Sequence, residues 1–150
     1  MSEFRFFHPI EVRYGDLDPQ GHVNNAKIVT YLEQARIQYI KYLNLWRGGS
    51  FSDLGIILAE VRVSYKAPIY FGQPIRVGVR VTRLGHKSFE MAYRVEDAVS
   101  RAELVTASTV QVAYDYRQQK SIPIPEEWRS AISVFEGLEG RQVPDAPLNL

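Results

Sequence analysis

Between Ala26 and Trp46 the apolar side chains recur at helical spacing. Ile28, Leu32, Ala35, Tyr39, Tyr42 and Trp46 stand 4, 3, 4, 3 and 4 residues apart and draw one apolar face along a helix. Asn24 or Asn25 suits the N-cap, and Gly48-Gly49 suits the end. Val29, Tyr31, Ile37, Ile40, Leu43 and Leu45 lie off that stripe. A helix apolar on several sides is expected to be enclosed by other structure, not laid on a surface.

The remainder reads mostly as β. Phe4 to Tyr14 predicts a first strand, with Phe4, Phe6, Ile10 and Val12 on one face and a break at Pro9. Asp18-Pro19-Gln20-Gly21 has the residues of a type I turn. Ile57 to Tyr65, Pro74 to Leu84, Lys87 to Glu96 and Glu103 to Tyr116 predict four more strands. Leu84-Gly85-His86 and Asp97-Ala98-Val99-Ser100 are the expected hairpin connections. Pro125 to Phe135 predicts a short C-terminal helix opened by proline. From about Gly140, Pro144, Asp145, Pro147 and Asn149 predict a loose tail, so the expected division is a domain over 1–139 and a tail over 140–150. Strand, long helix, then consecutive strands points to α+β with a largely antiparallel sheet. A curved sheet around the long central helix would cover that helix on several sides.

Composition narrows the chemistry. One ordinary domain fits 150 residues, and the absence of cysteine excludes disulfides, zinc–thiolate sites, iron–sulfur clusters and a cysteine nucleophile. Lys plus Arg number 18 and Asp plus Glu 17, which gives no electrostatic case for nucleic acid or an anionic membrane as partner. Met1 to Phe7 holds neither a long apolar run nor a small-residue cleavage site, and no apolar stretch approaches the ~20 residues of a membrane span. A cytoplasmic location is therefore the expectation. Walker A, GxGxxG and GxSxG sequences are absent, and His8, His22 and His86 lack the spacing of a local metal site.

The run Tyr14-Gly15-Asp16-Leu17-Asp18-Pro19-Gln20-Gly21-His22-Val23-Asn24-Asn25-Ala26, in this element order, resembles the hotdog-fold acyl-CoA thioesterases of the 4-hydroxybenzoyl-CoA thioesterase type. The run from Glu60 to Ile75 and the hairpin Arg83-Leu84-Gly85-His86-Lys87-Ser88-Phe89 resemble the same family, so the likeness extends from about residue 8 to residue 116. The resemblance implies a single hotdog domain. It implies homodimers with a sheet continuous across two protomers, often paired into homotetramers, and an active site at the dimer interface. The implied substrate is an acyl-CoA, hydrolysed to a free acid and coenzyme A.

By resemblance, the carboxylate before proline, here Asp18, is the nucleophile or the general base. A thioester also needs a donor for the developing oxyanion. A helix start supplies backbone N–H groups without intrahelical partners, so the N–H of Asn25 or Ala26 is the candidate. This scheme requires no metal and no cofactor. His22 is a candidate substrate contact. Asp16 reads as structural, and Glu33 as the partner of Arg36 three residues on. Glu60, among apolar neighbours, is either a pocket residue reached from the partner chain or the outward position of its strand. Coenzyme A phosphates need a cationic rim, and resemblance places Arg83, Lys87 and Ser88 there. The rival functions are hydrolysis from acyl carrier protein, a hotdog dehydratase or hydratase using His22 and Glu33, and an acyl-binding module without turnover.

Overall fold

The computed structural model describes residues 3–138, 144 and 145. Its elements run β1 (Phe7–Ile10), α1 (Asn25–Tyr42), β2 (Ile56–Tyr65), β3 (Ile75–Leu84), β4 (Ser88–Asp97), β5 (Glu103–Asp115), β6 (Lys120–Ser121) and α2 (Glu126–Glu136). The sheet order is β1-β3-β4-β5-β2, with β6 paired to β5. This is the α+β element order expected from the residue pattern.

The chain divides into two compact units. The first comprises Met1–Tyr39, Val63–Arg80 and Ala92–Ala107. Its core takes Ile28, Leu32, Ala35 and Tyr39 from the apolar stripe of α1, together with Ile75, Val77 and Val79 of β3 and Tyr93 and Val95 of β4. Tyr31 is buried as well, so more than the main stripe is covered. Strand β1 is shorter than expected and pairs antiparallel with β3, Phe7 opposite Gly78 and Ile10 opposite Ile75. Gly78 is needed there: a Cβ would stand 2.9 Å from the Phe4 ring and 3.0 Å from the Phe7 ring.

The second unit comprises Ile40–Arg62, Val81–Met91 and Ser108–Leu150. Here α1 ends at Tyr42, well before Gly48-Gly49. Asn44 adopts the left-handed conformation (φ 59°). Its N–H donates to Lys41 O at 3.0 Å, and Leu45 N–H donates to Ile40 O at 3.0 Å. This paired arrangement closes a helix C-terminus, with asparagine doing what glycine was expected to do. Tyr42 is consequently exposed, and Trp46 lies outside the helix. Helix α2 buries Trp128 and Ile132 and closes on Gly137 at φ 70°.

The hairpin between β3 and β4 is fastened to the chain's end. Asp145 Oδ1 accepts from Lys87 N–H at 2.9 Å, Ser88 N–H at 3.0 Å and Ser88 Oγ at 3.0 Å. An Arg83 guanidinium nitrogen donates to Pro144 O. Of the expected loose tail, Pro144 and Asp145 are described and are held; the other residues of 140–150 lie outside the described residues.

Candidate active site

Asp18 opens a tight turn. Gly21 N–H donates to Asp18 O at 3.0 Å, and Gly21 takes φ +83°, a conformation that favours glycine. Pro19 fixes the second position of this turn. The Asp18 side chain is itself held: Oδ1 accepts from Gln20 N–H at 2.9 Å and from His22 N–H at 3.3 Å. Its backbone N–H donates to His22 O at 2.8 Å. Oδ2 has no hydrogen-bond partner among the described residues, so one carboxylate oxygen is anchored and the other is open.

The turn is secured from below by Asp16, which is only 2% exposed. Its Oδ2 accepts from the Tyr31 hydroxyl at 2.7 Å and from Arg13 N–H at 3.1 Å. An Arg13 guanidinium nitrogen stands 3.2 Å from Oδ1. Burial pushes the Asp16 carboxyl up, but the bonds from Tyr31 and Arg13 outweigh it and hold the group below the usual carboxylate range. The Asp16 backbone carbonyl accepts from Asn24 N–H at 2.8 Å, which ties the turn to the start of α1. The structural role expected of Asp16 is therefore visible.

At that helix start Asn24 is the cap. Its Oδ1 accepts from Ala26 N–H at 2.8 Å, and its carbonyl accepts from Lys27 N–H at 2.8 Å. The N–H of Ala26 is thus engaged, while that of Asn25 has no partner among the described residues. Asn25 O accepts from the Tyr65 hydroxyl at 3.0 Å, so the end of β2 steadies the same turn of helix.

Asp18, His22 and Asn25 line one cavity of about 340 Å³ with Ile28, Tyr65 and Lys66. Tyr65 and Lys66 were not singled out from the sequence; they arrive from the end of β2, some forty residues beyond Asn25. The His22 ring stands edge-on to Tyr70, centroids 5.2 Å apart. Its backbone, on both sides of Asp18, contributes more bonds to the turn than its ring does. A second cavity of about 370 Å³ is lined by His8, Glu11, Arg13 and Tyr31, and holds none of the expected reactive groups.

The other candidates are placed elsewhere. Glu60 is exposed on β2 and pairs with Arg62 at 3.0 Å. Arg83, Lys87 and Ser88 belong to the hairpin held by Pro144 and Asp145, and Ser88 is buried there. Glu33 does not pair with Arg36 among the described residues: the Arg36 guanidinium donates to the Tyr93 hydroxyl at 3.2 Å instead. No group of three or more His, Cys, Asp or Glu side chains able to hold a metal occurs among the described residues. No helix among them is long and apolar enough to cross a membrane.

A family model described as the thioesterase-like superfamily matches residues 12–132. The chain is 32% identical to a thioesterase from Thermus thermophilus solved with coenzyme A and zinc, with a TM-score of 0.79, covering 91% of this chain and 98% of that one. It is 24% identical over 137 residues to the 1,4-dihydroxy-2-naphthoyl-CoA hydrolase of Synechococcus elongatus, covering 89% of this chain and 98% of that one. It is 21% identical over 123 residues to the long-chain acyl-CoA thioesterase FadM of Escherichia coli, covering 82% and 93% respectively.

Proposed function

The chain belongs to the thioesterase-like superfamily and has its hotdog fold, and on that premise we propose that it hydrolyses acyl-CoA thioesters with Asp18 as the reacting carboxylate. The observation that carries this reading is one cavity lined by both Asp18, which has an open carboxylate oxygen, and Asn25, whose N–H has no partner among the described residues. The Asn25 N–H, at the positive end of α1, takes the negative charge that develops on the thioester oxygen. Asp18 Oδ2 either attacks the carbonyl carbon or removes a proton from the water that does. In the first route the C–S bond breaks to release the coenzyme A thiolate, and water then cleaves the mixed anhydride and restores Asp18. In the second, water adds directly, and its proton passes through Asp18 to the departing sulfur. Both end in the free acid and coenzyme A.

Assembly into a homo-oligomer belongs to the same reading. Strand β2 closes one end of the sheet order, and Ile57, Leu58, Val61 and Tyr65 are exposed along it. An apolar edge strand of ten residues is suited to pairing with a second copy of itself. The residues over 1–139 form the catalytic domain in this reading, and the protein acts in the cytoplasm.

The test is coenzyme A release from a panel of aryl and long-chain acyl-CoAs, with wild type and Asp18→Asn side by side. Loss of a general base or nucleophile should lower kcat by at least about 100-fold while fold and oligomeric state are kept. Turnover by a folded Asp18→Asn protein at the wild-type rate would refute the assignment of Asp18.

A further inference from the structure

We propose that Lys66 receives the phosphate-bearing end of the substrate, so that the thioester enters the Asp18 cavity from the end of β2. This rests on the acyl-CoA reading above. Lys66 is the only lysine or arginine among the residues lining that cavity. It is exposed and makes no ion pair among the described residues. The other cations of the same unit are largely committed: Arg13 to Asp16, Arg76 and Arg94 to Glu96, Arg80 to Glu3. The backbone beneath Lys66 is fixed, because its N–H and that of Ala67 both donate to Leu104 O, at 2.9 and 3.1 Å. Pro68 follows at once and stiffens the segment. An exposed lysine without an ion pair among the described residues thus stands on a rigid base among the residues that line the Asp18 cavity.

The hairpin expected to carry this role is differently disposed. The N–H groups of Lys87 and Ser88 and the Ser88 hydroxyl already converge on a carboxylate, that of Asp145. Arg83 is engaged with Pro144 O. A phosphate arriving there would meet a resident negative charge at the backbone donors of the hairpin, which that charge already occupies. Burial raises the Asp145 carboxyl, but the bonds from Ser88 and Lys87 prevail and keep it below its usual range, hence ionised at neutral pH.

The experiment measures affinity for coenzyme A and for pantetheine, which lacks the nucleotide and its phosphates, by calorimetry at low and high salt. Four proteins are compared: wild type, Lys66→Gln, Lys66→Arg and Lys27→Gln. Lys27 is an exposed lysine on the first turn of α1 that does not line the cavity. Lys66→Gln should bind coenzyme A about 1.5- to 5-fold more weakly at low salt, the scale of one exposed ion pair, with the difference closing at high salt. Its affinity for pantetheine should not change. Lys66→Arg should match wild type, and so should Lys27→Gln. Undiminished coenzyme A binding by Lys66→Gln, or an equal loss for pantetheine, overturns the proposal. A wild type that binds coenzyme A but hydrolyses none of the panel would sink the hydrolase reading and leave the Lys66 comparison readable.

Discussion

Tyr31→Phe removes a single oxygen and reports on the foundation of the site. The Tyr31 hydroxyl donates to Asp16 Oδ2 at 2.7 Å, with Tyr31 4% and Asp16 2% exposed. Bulk water cannot replace that bond. A hydrogen bond to a charged group contributes about 1.5–3 kcal/mol. For a chain of this length each kcal/mol moves Tm by roughly 2–4 °C, so the variant should melt about 3–12 °C lower. The pH dependence has a definite sign. The folded-state Asp16 carboxyl lies below its ordinary value, because the bonds from Tyr31 and Arg13 outweigh the upward push of burial. Its contribution is therefore fully present above the unfolded carboxylate value of about 3.9 and is lost as pH falls through the folded value. The gap between wild type and variant should be full at neutral pH and narrow in acid. Urea unfolding midpoints at constant m, at neutral pH and in a series below about pH 4, measure this. A gap under about 0.5 kcal/mol at neutral pH, or one that stays constant into acid, would refute the account of Asp16 as a buried carboxylate kept ionised by its partners.

Two further expectations concern packing and charge. Gly85→Ala should destabilise by about 1–3 kcal/mol, since its Cβ would stand 2.8 Å from Ser88 O in a hairpin already clamped by Asp145, whereas Gly15→Ala, with nothing within 4 Å, should lie within about 0.5 kcal/mol of wild type in the same unfolding assay. Glu96, 4% exposed, holds Arg76 at 2.6 Å and Arg94 at 2.8 Å, so Glu96→Ala should cost about 3 kcal/mol by chemical denaturation, and Arg76→Ala less, because Arg94 still pairs the buried carboxylate that is left behind.

What the sequence revealed, and what it concealed, follows from the range of each interaction. The stripe from Ile28 to Tyr39 was legible because period alone decides a helix face. Its extension to Trp46 was not, because periodicity carries no information on φ, and Asn44 turns left-handed there. Strand β6, two residues long, is too short to alternate. The Asp18 turn was legible from Asp, Pro and Gly at their turn positions. Which of Asn24 and Asn25 caps α1 was not: each has the needed side chain, and only the backbone geometry selects Asn24 and thereby leaves Asn25 N–H open. Glu33 and Arg36 have the spacing of a helical pair, yet the Tyr93 hydroxyl, supplied by β4, attracts the guanidinium instead. Tyr65 and Lys66, within the run from Glu60 to Ile75, received no role of their own for the same reason, since only the return of β2 toward α1 makes them neighbours of Asn25.

The strand order β1-β3-β4-β5-β2 also has a consequence in time. Both ends of the main strand path are filled by the two strands that leave the ribosome first, and the centre by three strands joined as consecutive hairpins. Strand β1 waits for β3, and β2, ending at Tyr65, waits for β5, which begins only at Glu103. During synthesis the apolar run of β2 therefore stays without its intramolecular neighbour until most of the chain has emerged. Long-range pairings of this kind slow folding and lengthen the interval in which a bare strand can find the wrong partner. For this topology, the nascent chain is most vulnerable before the β4–β5 hairpin is complete, and a pause in translation just after β2 would prolong that vulnerability.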